Sequence, residues 1–163
     1  LIEVHKNLWV GGHADWDFIN LSGQTFSVVH AAKEPYHREL LGYTTQGAPK
    51  EHPYYLFARL DNILYLNLVD AEEERYIPKA VIDEALSFIS DRLSFGNKVL
   101  VHCNEGKSRA PGIAFLWMYE NNCLPRDFRE AGPVFKQIYP DFYPKNGIFQ
   151  FIRNRAYGNQ IRK

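Results

Sequence analysis

The stretch Lys98-Val-Leu-Val-His-Cys-Asn-Glu-Gly-Lys-Ser-Arg-Ala-Pro111 constrains this chain more than any other. Val99, Leu100 and Val101 form a short apolar, largely β-branched run of the kind that fills a strand buried on both faces of a parallel sheet. Cys103 falls where that strand ends. Small and polar residues around Gly106 then make a tight loop, and Pro111 suits the first turn of a helix, where its missing N–H costs nothing. Ile113, Phe115, Leu116, Trp117 and Met118 continue that helix with apolar side chains nearly all round, which marks it as buried. A buried strand feeding a buried helix fits a layered α/β domain.

A loop curled before a helix N-terminus aims its backbone N–H groups inward, and the helix dipole adds partial positive charge. The result is a cradle for an oxyanion the size of phosphate. Arg109 closes it with a planar, two-pronged grip, and the same field favours the ionised sulfur at Cys103. An anion cradle with a nucleophile at its base points to phosphoryl transfer through a cysteinyl-phosphate. A structural cysteine beside a surface arginine would explain Cys103 and Arg109 taken singly. The agreement of strand, His102, Gly106, Ser108 and helix favours the cradle.

The eight residues His102 to Arg109 match the His-Cys-x5-Arg signature, and the chain resembles the cysteine-dependent protein tyrosine phosphatases. The Gly-x-Ser-Arg ending is similar to the dual-specificity branch. The resemblance is close from about Leu64 to Met118 and thinner elsewhere. It implies a central mixed, mostly parallel sheet of about five strands flanked by helices. It also implies hydrolysis of phosphotyrosine, extending to phosphoserine and phosphothreonine, with a phosphorylated protein or peptide as partner and with no cofactor. Cys103 would be the nucleophile and Arg109 the phosphate grip. Asn104, Glu105, Gly106, Lys107 and Ser108 would line the phosphate with them, and His102 would support the loop. Glu105 and Lys107 are expected to point outward, with Glu105 a candidate to brace Arg109, and Ser108 to hydrogen-bond within the loop near the sulfur. Ala110 departs from the Ser or Thr usual after the arginine, which implies weaker support for the second chemical step.

A carboxylic acid opposite the cradle is needed to protonate the leaving group. Asp70 ends the strand Ile63–Val69 and stands where the resemblance puts the general acid. Asp61 precedes that strand and should sit at the wrong edge, while Glu72, Glu73 and Glu74 read as a solvated face or helix N-terminal support. Ile82, Ala85, Leu86, Ile89 and Leu93 recur at helical spacing and predict a helix over 78–93. The right-handed crossover from strand to helix to strand puts Asp70 and Cys103 at one sheet edge.

Elsewhere, Ile2 to Val10 reads as an extended pair turning at Lys6-Asn7, Asp15–Leu21 as a short helix, and Phe26–Ala32 as a buried strand. A long loop insertion near 33–60 follows. Lys33, Tyr36, His37 and Arg38 are candidates to line the pocket from it, or are solvated loop residues. Pro133 predicts a kink or two short helices after Pro125, Asn146–Arg155 a final helix, and the residues through Lys163 frayed ends. His5, His13, His30, His37 and His52 are too scattered for a metal site and read as surface or locally hydrogen-bonded groups. Cys123 reads as a small core residue, and Trp9, Trp16 and Trp117 as packing.

The 163 residues suit one catalytic domain, read as a monomer. A formal net charge of zero supplies no global basic field for nucleic acid or membrane. Two cysteines make no disulfide framework, and a reactive thiol suits a reducing, cytoplasmic setting. No apolar run reaches membrane-spanning length. Four other readings stay open. Asp141 could serve as the acid of a low-molecular-weight phosphatase, although Cys103 lies mid-chain. A rhodanese-like sulfurtransferase leaves Asp70 unexplained. A phosphatase acting on phosphoinositide or an RNA 5′-phosphate, and a catalytically weak phosphate-binding scaffold, complete the set.

Overall fold

A computed structural model describes residues 1–161. A six-stranded sheet forms the centre. Its strands are β1 (Ile2–His5), β2 (Leu8–Gly11), β3 (Ser27–His30), β4 (Phe57–Leu60), β5 (Ile63–Leu66) and β6 (Val99–His102), in the spatial order β1-β2-β6-β3-β5-β4. The inner strands β2, β6, β3 and β5 run parallel, and the outer β1 and β4 are antiparallel. Asn7, in the left-handed region at φ 64°, makes the β1–β2 turn, and Asp61 at φ 53° makes the β4–β5 turn. Asp61 therefore lies at the edge opposite Cys103.

β6 is buried along its whole length. Val99 and Val101 join the main core, and the alternation of a strand turns Leu100 and His102 to the other face. Helices α3 (Lys79–Ser94) and α4 (Arg109–Glu120) pack on the core face, with α6 (Asn146–Ile161) outside α4 and α5 (Phe128–Ile138) beside α6. On the other face α1 (His13–Ser22) lays Trp16 parallel to the His102 ring at 5.8 Å. No helix among the described residues is long and apolar enough to cross a membrane.

Several boundaries differ from the sequence-based expectations. The sheet has a sixth strand, and it lies inside the expected loop insertion. Phe57–Leu60 buries only Ala58 completely, so its short pattern carries little hydrophobic signal. The start of that segment forms a helical turn at Lys33–His37 and the short helix α2 (Arg38–Leu41), and residues 42–56 run through turns and bends. β5 stops at Leu66, leaving Asp70 four residues beyond it, and β3 stands between β5 and β6. Pro133 does not split α5. It removes a single intrahelical bond at the middle of the helix, and buried Ala131 and Phe135 anchor the helix on either side. The final helix is longer than expected, running to Ile161; the fraying expected beyond it falls on residues outside those described.

Candidate active site

The carboxyl ends of β2, β3 and β6 bring the Gly11-Gly12 turn, Ala31 and Cys103 together. Gly106 has φ +72°, and a Cβ there would stand 2.8 Å from the Gly11 carbonyl carbon and 2.9 Å from the Gly12 nitrogen. The loop thus presses backbone to backbone on the β2–α1 turn, which only glycine permits.

The carbonyls of this loop are held from outside. The His13 N–H donates to the Asn104 carbonyl at 3.0 Å, the Tyr139 hydroxyl to that of Gly106 at 2.6 Å, and the Tyr143 N–H to that of Lys107 at 2.8 Å. Burial pushes the Tyr139 phenol well above its usual range, so it stays a donor. With these carbonyls turned outward, the N–H groups face the loop's interior. None of the N–H groups of residues 104–108 has a hydrogen-bond partner among the described residues. Cys103 lies at the base, 2% exposed.

Arg109 is 9% exposed. One guanidinium nitrogen donates to the Leu68 carbonyl at 3.0 Å and another to Asn104 Oδ1 at 2.5 Å. Its Nε is buried without a partner. The brace on the arginine is therefore Asn104 and the chain after β5, whereas Glu105 and Lys107 are exposed. No hydrogen bond or ion pair joins Glu105 to Arg109 among the described residues. Asn104 also donates through its amide nitrogen to the Glu34 carbonyl at 2.9 Å.

Ser108 does not bond within the loop. Its hydroxyl donates to Asp70 Oδ1 at 2.8 Å and accepts the Lys145 N–H at 2.9 Å. Half-buried Asp70 is thereby held by the residue that immediately precedes Arg109 in the chain. The Gly147 N–H donates to the Ala71 carbonyl at 3.1 Å, so the start of α6 fixes the same segment.

Behind the cradle, His102 Nε2 lies 2.6 Å from His30 Nδ1, and its own Nδ1 lies 3.3 Å from the Cys103 carbonyl. A carbonyl only accepts, so the proton sits on His102 Nδ1, and His30 donates to His102 Nε2. Burial, helped by the neighbouring His102, lowers His30 to about 3. Burial likewise lowers His102 to about 4 against the Cys103 carbonyl bond. Both rings are neutral near pH 7. The Tyr36 ring stacks on His30 at 4.4 Å, and its hydroxyl meets His13 Nδ1; burial raises Tyr36 to about 12.

The structure gives each candidate between 33 and 38 a defined set of partners. Tyr36 packs against the histidine pair. His37 is wholly buried between the Tyr43 hydroxyl at 3.1 Å and the Tyr54 carbonyl at 2.7 Å. Arg38 holds Glu34 and the carbonyls of Tyr43, Thr45 and Gln46, and Lys33 donates to the Gln46 carbonyl at 2.5 Å. These side chains fold their own segment. Of the histidines read as surface or locally hydrogen-bonded groups, His30 and His37 are buried, His37 hydrogen-bonded within its own segment, and Cys123 is only half-buried, with burial pushing its thiol up. The roles of His30, Asn104 and Tyr139 were missed: none lies at a telling spacing, and each is defined by a long-range partner. Among the described residues no group of three His, Cys, Asp or Glu could hold a metal ion.

No family model matches the sequence. A dual specificity protein phosphatase of Arabidopsis thaliana, PHS1, is 27% identical over 90 residues, 55% of this chain and 10% of that protein. The chain thus spans about a tenth of the length of the curated relative it matches. Among solved structures, human DUSP28 superposes with a TM-score of 0.67 at 17% identity, covering 98% of this chain and 95% of that one. DUSP15 gives 0.64 at 20% identity over 96% and 87%. A human tyrosine phosphatase-like serine/threonine/tyrosine-interacting protein gives 0.61 at 16% identity over 97% and 96%. The fold is that of the dual-specificity phosphatases.

Proposed function

We propose that this chain is a protein phosphatase of the dual-specificity type, cleaving phosphotyrosine and also phosphoserine or phosphothreonine through a cysteinyl-phosphate. One observation carries the reading: a loop with its carbonyls pulled outward and its N–H groups free lies between Cys103 and a braced, buried arginine. Such donors stabilise the extra negative charge of a phosphoryl group in transfer. The Cys103 sulfur attacks phosphorus, forming the S–P bond as the ester P–O bond breaks. Asp70 gives its proton to the departing oxygen. Water then attacks phosphorus and passes a proton to Asp70, the S–P bond breaks, and inorganic phosphate leaves. Ser108 orients Asp70 for both transfers, and the neutral His102 donates to the Cys103 carbonyl, fixing the base of the loop.

The loop carries a single exposed lysine, Lys107, and Lys33 and Arg38 bond within their own segment, which supports a protein substrate over a polyanionic headgroup that would need several free cations at the opening. Ala110 supports a second reading, phosphate binding with weak turnover, because its buried methyl offers the departing sulfur no hydroxyl. A panel of phosphopeptides, phosphoinositides and RNA 5′-triphosphate, with Cys103→Ser as the inactive control, tests the assignment. Turnover of phosphopeptides that vanishes in Cys103→Ser is expected. Phosphopeptide binding without turnover in either protein would replace it with the scaffold reading.

A further inference from the structure

An apolar groove of about 930 Å³ lies between α5 and α6, away from the sulfur, and the proposed reaction does not use it. Phe115 forms its floor, and Phe128, Phe142, Phe149, Ile152 and Tyr157 form its walls. Its charged lining is of one sign: Arg129, Lys136 and Arg153, with no carboxylate. Arg129 pairs with Asp127 at 3.0 Å outside the groove, and Lys136 spends one bond on the Phe142 carbonyl. No carboxylate pairs with Lys136 or Arg153 among the described residues.

The groove is open along its length. Phe149 and Tyr157 are 41% and 42% exposed. A single acyl chain laid there would keep one side in water, whereas small-molecule sites enclose most of their ligand. An amphipathic helix solves this by covering the aromatic walls with one face and keeping its other face solvated. The cationic rim then selects acidic residues flanking the apolar anchors. We propose that this groove docks an acidic amphipathic helix from a protein partner. Its wall is the segment that carries the Tyr139, Tyr143 and Lys145 bonds to the 106–108 loop, so a docked partner sits against the support of the cradle.

The test uses binding alone, so it does not depend on the phosphatase reading. A display library of random peptides about 16 residues long, roughly four helical turns, is selected on the full chain carrying Cys103→Ser. Enrichment of sequences with Leu, Ile or Phe at helical spacing and flanking Asp or Glu is expected. The tightest such peptide should lose about tenfold or more in affinity on Phe149→Ser, and separately on Arg153→Glu. Both sites are on the surface wall, and unchanged circular dichroism shows that the variants fold. Enrichment without acidic residues, or affinity indifferent to both substitutions, overturns the proposal. So does displacement of an apolar dye from the groove by oleate but by no peptide, or a concentration-dependent dimer abolished by Phe149→Ser.

Discussion

The His30–His102 pair makes the fold acid-sensitive over a defined window. Both rings are neutral in the folded chain, with values of about 3 and about 4 against 6.5 in the unfolded one. Folded values below unfolded ones mean that their contribution is complete above 6.5 and is lost as pH falls. At pH values between the folded and unfolded midpoints each histidine makes the unfolded state bind one more proton, a slope of about 1.4 kcal/mol per pH unit. From about pH 7 to about pH 5 each removes about 2 kcal/mol, and the pair about 4, a large share of the roughly 5–15 kcal/mol that holds a domain together. Buried His37 is shifted the same way. The carboxyls of Glu34, Asp83 and Asp127 are held low by basic partners and lose their contribution only at lower pH. His30→Asn places an amide N–H where Nδ1 was, keeping the donor to His102 while deleting one proton site. Urea unfolding at several pH values between about 7 and 5 should then show a slope smaller by about 1.4 kcal/mol per unit. His30→Leu, by contrast, strands His102 Nε2 and should cost about 1–3 kcal/mol already at neutral pH. Equal slopes for the wild type and His30→Asn would refute the buried neutral pair.

Four further variants test the site. Asp70→Asn should lower kcat about 10²–10⁴-fold on phenyl phosphate, a poor leaving group, and much less on activated esters; Ser108→Ala should lower kcat in the same leaving-group-dependent way with little change in KM. Ala110→Ser should hasten the second step, read as a smaller pre-steady-state burst with a faster steady rate; identical bursts would show that the hydroxyl does not matter here. Gly106→Ala should lower Tm and phosphate affinity together, because it adds a methyl that meets the Gly11–Gly12 backbone and a left-handed strain of about 1–2 kcal/mol.

The parallel centre of the sheet and the cradle were legible because they rest on local pattern: Val99–Val101, the Gly106 turn and the apolar Ile113–Met118 run lie in one continuous stretch. β4 was not, because an edge strand with one fully buried residue carries no alternation strong enough to outweigh the Gly, Pro and polar residues before it. The supports of the site were illegible for a different reason. Tyr139 reaches Gly106 across 33 residues, and His30 reaches His102 across 72. Glu105 looked like a brace because a carboxylate suits a guanidinium, but the chain geometry gives that position to the amide of Asn104.

Asn104 has one end on the Glu34 carbonyl and the other on the guanidinium. Displacing the 33–38 segment therefore pulls on the Arg109 side chain through that one amide. The two ends are geared together, and a change that loosens the 33–38 segment will slacken the hold on Arg109.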